Sequence, residues 1–178
     1  SLPLPEATAA VGYIKTTIDN PKASEISFAK TSDGASWGAI YGQSLQPIAA
    51  VKSANAGIRV ERNIETSGKS LRVGDKVKVV ITIVADRDFD FVQLCDKRAA
   101  CLEPVSQLSG YSNGYYLAPQ DNCTNYFFDR LSKGKHVVET EYFVDRPGSY
   151  LSGICTAECA YSPEFSGRAE AVQIVVNE

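Results

Sequence analysis

The stretch from Ala85 to Val176 most constrains what this chain folds into. Apolar and polar residues alternate there between closely spaced turn signals, and all five cysteines lie inside it. Alternation with a period of two places one set of side chains on each face of a half-buried strand. The pattern begins upstream, where Ile58 and Val60 alternate with Arg59 and Glu61. After the turn Val73-Gly74-Asp75, the residues Val77, Val79, Ile81 and Ile83 share a face. Further strands are expected at 89–94 and 124–130, then at 136–144 with His136, Val138, Thr140, Tyr142 and Val144 facing inward together. Two more follow at 150–161 and 170–176. Ser132-Lys133-Gly134-Lys135 reads as a hairpin-type turn, and Arg146-Pro147-Gly148-Ser149 as a type II turn. About seven short strands at this spacing predict an antiparallel β-sandwich. No segment carries an amphipathic helix. The exception to the short connections is 103–122, rich in Ser, Gly, Asn and Tyr, which reads as a long functional loop.

Residues 1–56 differ in character, being broken by Pro3, Pro5, Pro21 and Pro47. Strand-like runs are expected at 11–18, 25–30 and 36–41, with a turn at 31–34 and Trp37, Ala39 and Tyr41 on one face. Residues 51–57 read as a small flexible linker. The organisation predicted is a β-rich segment over 1–56, forming part of a small all-β domain, and a sandwich over 57–178. Ser1 and the absence of Met read as a piece excised from a longer chain.

Composition narrows the function classes. A net charge of −3 leaves no electrostatic footprint for nucleic acid or an anionic membrane. No run approaches the ~18 apolar residues of a membrane span. His136 is the only histidine, it sits in a strand after a turn, and no nucleophile elbow is present, so no catalytic residues are expected. No metal and no cofactor are expected either. Cys95-x5-Cys101 and Cys155-x3-Cys159 lack zinc-knuckle spacing, and no phosphate-binding glycine loop occurs. Asp86, Asp88 and Asp90 open like a calcium loop, but Phe91 stands where glycine is required and Lys97 where the last glutamate belongs. The plain reading is a polar strand edge that resists edge-to-edge pairing. The cysteine density points to an oxidising compartment, with disulfides or buried thiols as the two outcomes. Cys155 and Cys159 share the inward face of their strand, where each meets a cysteine of the 95–101 region or Cys123. Tyr111, Tyr115 and Tyr116 cluster in the long loop as a candidate interaction surface.

Several segments, in order, carry a family resemblance. They are Asp86-Arg87-Asp88-Phe89-Asp90-Phe91-Val92-Gln93-Leu94, then Arg98-Ala99-Ala100-Cys101-Leu102-Glu103-Pro104. Asn125-Tyr126-Phe127-Phe128-Asp129-Arg130-Leu131 with Lys133-Gly134 follows, then Arg146-Pro147-Gly148-Ser149-Tyr150 and Cys159-Ala160-Tyr161-Ser162-Pro163-Glu164-Phe165. Together they resemble the C-terminal macroglobulin-like domain of bacterial alpha-2-macroglobulin family proteins, especially large forms from Bacteroides-type bacteria. Ser36-Trp37-Gly38-Ala39-Ile40-Tyr41 with Leu45-Gln46-Pro47-Ile48 resembles the segment after the thioester-type domain. The resemblance implies a non-catalytic domain of a long periplasmic or cell-surface chain that traps proteases. Its implied partners are other domains of the same chain and, through the full-length protein, target proteases. No cysteine here is followed by Glu-Gln, the nearest sequence being Cys101-Leu102-Glu103-Pro104, so covalent capture is not assigned to this segment. The family pattern holds Cys101 and Cys159, the pair expected if a disulfide forms, while Cys95, Cys123 and Cys155 stand outside it. Arg98, Glu103, Asp129 and Glu164 are expected to support the fold through buried ion pairs. The alternative is a stand-alone adhesin or carbohydrate-binding sandwich using Trp37 and the loop tyrosines.

Overall fold

The structure, a computed structural model, describes residues 12, 14–19, 22, 25–31, 33–66, 68 and 70–178. It separates into two compact units, Ser1–Gly42 and Gln43–Glu178. In the first, no described residue belongs to a strand. The runs expected at 25–30 and 36–41 form no strand, and positions 11 and 13 of the first run lie outside the described residues. β-propensity becomes a strand only where a partner supplies the ladder. Trp37 is 96% exposed and Tyr41 90%, so their shared side is not a buried face.

The second unit is all-β. After one 3-10 turn at Ile48–Ala50 come β1 (Ala54–Ala56), β2 (Ile58–Thr66), β3 (Leu71–Arg72), β4 (Lys76–Ala85) and β5 (Phe89–Lys97). Next are β6 (Leu102–Pro104), β7 (Gly110–Ser112), β8 (Tyr115–Pro119), β9 (Cys123–Leu131) and β10 (Gly134–Val144). β11 (Gly148–Leu151), β12 (Cys155–Cys159), β13 (Ser162–Ala169) and β14 (Gln173–Asn177) complete it. The sheets run β1-β13-β12-β5-β9-β8-β7, β2-β4-β10-β6 and β11-β14-β3. All pairings are antiparallel except β14 with β3. The expected strands correspond to β2, β4, β5, β9, β10 and β14, the one expected at 150–161 is broken at 152–154 into β11 and β12 of different sheets, and the structure adds shorter strands around them.

The alternation read from the sequence gives the core. Ile58, Val60, Val77, Val79, Ile81, Ile83, Val92, Leu94, Val138, Tyr142, Val144, Ile174 and Val176 are all buried. Burying each such side chain contributes about 1.5–3 kcal/mol. Two fully buried tyrosines join the larger sheet to the four-stranded one. The hydroxyl of Tyr126 on β9 bonds Thr140 on β10 at 2.6 Å, and that of Tyr142 on β10 bonds Thr124 on β9 at 2.8 Å. Burial pushes both phenols up, that of Tyr142 to about 12, so they stay neutral hydrogen-bonding groups.

Three local expectations are corrected. Residues 54–57 are not a linker: β1 pairs with β13 and Gly57 bridges to Ser166. The join is fixed by Glu170, which accepts from the Ser53 N–H and from Lys52, and by Arg168, which donates to the Lys52 carbonyl. Residues 132–135 are not a hairpin turn, because β9 and β10 belong to different sheets; the chain turns a corner there. The 103–122 loop contains β7 and β8, a hairpin closed by Asn113 at φ 52° and Gly114 at φ 85°. Positive φ at both central residues is the type I′ turn that Asn-Gly favours.

The corner depends on Asp88. Its carboxylate accepts from the Lys133 N–H at 2.8 Å and from Arg130 at 2.6 Å. These two donors, the backbone one first, hold the acid below the usual carboxylate range. A depressed folded-state value contributes stability above the ordinary aspartate range, lost as pH falls through the folded value. The Asp88→Asn variant is therefore expected to melt below the parent at neutral pH, with the gap closing between about pH 5 and pH 2. Melting temperatures of both proteins across that range check it; a gap that persists in acid would show that the charge is not what holds the corner.

A candidate interaction surface at the sheet edge

β7 is an edge of the seven-stranded sheet, and the register defines what it carries. Tyr111 opposes Tyr116 on β8, Tyr116 opposes Phe127 on β9, and Phe127 opposes Gln93 on β5. The row continues to Glu158 on β12. Tyr111 and Tyr116 meet edge to face with centroids 5.1 Å apart. Tyr111 is 75% exposed and Phe127 39%. The result is a short aromatic row on the outer face, with exposed Leu108 just before the hairpin. Tyr115 does not join it. Being one residue out of phase with Tyr116, it points inward, is 8% exposed and packs on Tyr126 and Phe128. The structure thus separates the three clustered tyrosines into two surface residues and one core residue. Phe127 was not among the sequence candidates; its parity opposite to Tyr126 and Phe128 was the available signal.

The other candidates are placed as follows. His136 lies at the corner with its Nε2 2.7 Å from the Ser132 carbonyl oxygen. Asp86 and Asp88 sit in the turn before β5, and Asp90 lies within that central strand, so they do not guard an edge. Asp86 pairs with Arg87, which holds its carboxyl below the usual range. Arg98 donates to the carbonyls of Leu102, Cys123 and Asp121, while Glu103, Asp129 and Glu164 are exposed. The buried ion pairs expected of these four are replaced by another, Arg62 on β2 with Asp96 on β5, at 2.6 Å and with both side chains 1% exposed.

All five cysteines are free. Cys101 and Cys159 are unpaired and lie far apart. Cys159 opposes Val92, whereas Cys101 follows the far end of β5, which ends at Lys97. At ~3.3 Å per residue that separation exceeds the reach of a disulfide. Cys155 turns inward opposite Asp96 in the β5–β12 register, and burial raises its pKa well above the ordinary thiol range.

The three antiparallel-dominated sheets around one apolar core define a β-sandwich domain. Its family profile, "Bacterial Alpha-2-macroglobulin MG10 domain", matches residues 53–164, and the chain belongs to that family. Among similar solved structures is Salmonella alpha-2-macroglobulin reacted with methylamine. It shows 21% identity and a TM-score of 0.64, over 72% of this chain and 10% of that one. Trypsin-activated alpha-2-macroglobulin from Escherichia coli gives 19%, 0.62, 72% and 11%. Native Escherichia coli alpha-2-macroglobulin, spanning domain MG7 to the C-terminus, gives 18%, 0.63, 74% and 25%. The chain therefore spans about a tenth to a quarter of the chains it resembles. No curated protein sequence matches it. Among the described residues, no helix is long and apolar enough to cross a membrane.

Proposed function

We propose that this sequence is a non-catalytic recognition and packing domain of a longer, extracytoplasmic alpha-2-macroglobulin-like protein that inhibits proteases by trapping them. The observation that carries this reading is the match to the MG10 domain family across 53–164. The sandwich domain includes β1 and begins no later than residue 53, and residues 1–42 belong with a preceding small domain. The aromatic row Tyr111–Tyr116–Phe127 is a contact surface for another domain of the same long chain. Its composition supports that role, since aromatics supply large contact area at small entropic cost. Exposed Phe28, Trp37, Ile40 and Tyr41 in the first unit support it as well. Target proteases meet the assembled protein rather than this segment alone.

The test uses the natural gene product. A chain many times longer than 178 residues that protects a protein substrate from trypsin is the expected result. A product of about this size, or a long one without effect on trypsin, overturns the reading. Within that product, Tyr111→Ala combined with Tyr116→Ala is expected to leave the domain's melting temperature within about 3 °C, because surface truncations cost little. It should loosen the domain from its neighbours, seen as faster limited proteolysis of the linkers. Tyr115→Ala, by contrast, removes a buried ring and should cost the isolated domain about 3–5 kcal/mol in urea unfolding.

A further inference from the structure

Two of the five free thiols stand together. The register of β5 with β9 pairs Cys95 with Asn125 and Lys97 with Cys123. Cys95 and Cys123 are therefore diagonal neighbours on the outer face of the sheet. The right-handed twist of neighbouring strands closes one diagonal of each such square and opens the other. The Cys123 thiol is close enough here to raise that of Cys95, as expected on the closed diagonal. Cys123 also donates to Gln120 Oε1 at 3.7 Å and accepts from Asn125 Nδ2 at 3.5 Å, which fixes its sulfur on the side of Cys95. Cys95 is half-buried, so a small reagent reaches it. The remaining thiols have no comparable neighbour: Cys155 faces the core against Asp96, and Cys101 and Cys159 lie far apart.

We propose that Cys95 and Cys123 form the native disulfide of this domain by exchange with a disulfide donor. The Cys95 thiol loses its proton to solvent, and its thiolate attacks one sulfur of the donor. A mixed disulfide forms as the donor's S–S bond breaks and one donor thiolate leaves. The Cys123 thiolate then attacks the Cys95 sulfur and expels the second donor thiolate. Two protein thiols are oxidised and one donor disulfide is reduced to two thiols. The new bond ties the central strand β5 to β9 and closes a loop containing the β7–β8 hairpin. The proposal stands apart from the protease-trapping reading, because it needs only the oxidising donor and these two side chains.

Burial, and then the adjacent Cys123, pushes the Cys95 thiol up to about 11. Exchange is therefore slow at neutral pH, and its rate should rise roughly tenfold per pH unit below that value. The closed form should melt roughly 5–10 °C above the reduced form.

The experiment takes the full chain, reduces it, exposes it to glutathione disulfide and cleaves it before aspartates without reduction. Cleavage separates 90–95, 96–120, 121–128 and 145–178, which isolates Cys95, Cys101 and Cys123 on different peptides. The expected product is 90–95 joined to 121–128, lighter by two hydrogens than the sum of the free peptides. It should appear faster as pH rises and be absent in Cys123→Ser, where glutathione stays on Cys95. Linkage through any other cysteine overturns the proposal. So do glutathione retained on Cys95 in the parent chain, and thiols that stay unreacted after prolonged exposure in mild alkali.

Discussion

Replacing Asp96 by alanine is expected to cost this domain about 3–5 kcal/mol, the usual consequence of leaving a buried charge without its partner. Arg62 reaches inward from β2, and its guanidinium is surrounded. It donates to Asp96 Oδ1 at 2.6 Å and Ser152 Oγ at 2.6 Å, and to the carbonyls of Lys97, Gly153 and Glu170 at 3.3, 2.8 and 2.8 Å. Asp96 is the only carboxylate in that set, so its removal leaves the positive charge facing neutral acceptors in a site closed to water. Burial pushes the Asp96 carboxyl up while Arg62 pulls it down, so the two groups depend on one another for their charge. Against a total stability of about 5–15 kcal/mol, the loss is large enough to lower the melting temperature by roughly 10 °C. Asp96→Asn keeps an acceptor and loses only the charge, and should fall between alanine and the parent. The double change Arg62→Met with Asp96→Leu should recover much of the loss, since a buried pair contributes little over apolar side chains of similar volume. Recovery stays incomplete because the Gly153 and Glu170 carbonyls lose their donor. Urea unfolding of the four proteins checks the order. An Asp96→Ala variant within about 1 kcal/mol of the parent would mean that Arg62 escapes to solvent.

Most of the sandwich was legible because its long strands alternate cleanly, and Arg62 shows both the reach and the limit of that reading. Period two puts Arg62 on the face of Ile58 and Val60, and Asp96 on the face of Val92 and Leu94. Two opposite charges at inward positions were visible in the sequence, but which inward positions meet across the sandwich depends on sheet order. The Asn113-Gly114 turn was equally visible and was obscured by the polar composition around it. Its recognition would have separated Tyr115 from Tyr111 and Tyr116 by parity alone. β1, β3, β6 and β11 are too short to leave a period. β13 is hidden by Pro163 and Gly167, both unfavourable in a strand interior. Pro163 is tolerated because the β12–β13 register shifts there: Cys159 opposes Ser162 and Glu158 opposes Ser166, so the intervening residues need no ladder bond.

Gly167 is present for a different reason, and Gly167→Ala is expected to be among the most damaging single-methyl additions in the domain. β13 lies between β12 and β1, and Gly167 opposes Ala157 on one side and Asn55 on the other. At this point the chain leaves the seven-stranded sheet through Gly57 at φ 84° and enters β2 of the four-stranded sheet. The first residue of β2, Ile58, is fully buried and passes directly over Gly167. A Cβ there would stand 2.1 Å from the Ile58 carbonyl oxygen and 2.9 Å from its carbonyl carbon. These are backbone atoms of a paired strand, so no rotamer change relieves the clash. Either β2 lifts away from β13 or the β12–β13–β1 ladder opens. Overpacking a core typically costs about 1–3 kcal/mol, and a clash with fixed backbone belongs at or above the top of that range. The matched control is Gly110→Ala on the edge strand β7, where an added methyl meets nothing within 4 Å. That variant should stay within about 1 kcal/mol of the parent, the small remainder being propensity. Paired urea titrations decide the matter. If the two alanine variants unfold at the same midpoint, the two sheets do not meet through Gly167; if only Gly167→Ala collapses, the absent side chain is what allows the chain to pass from one sheet to the other.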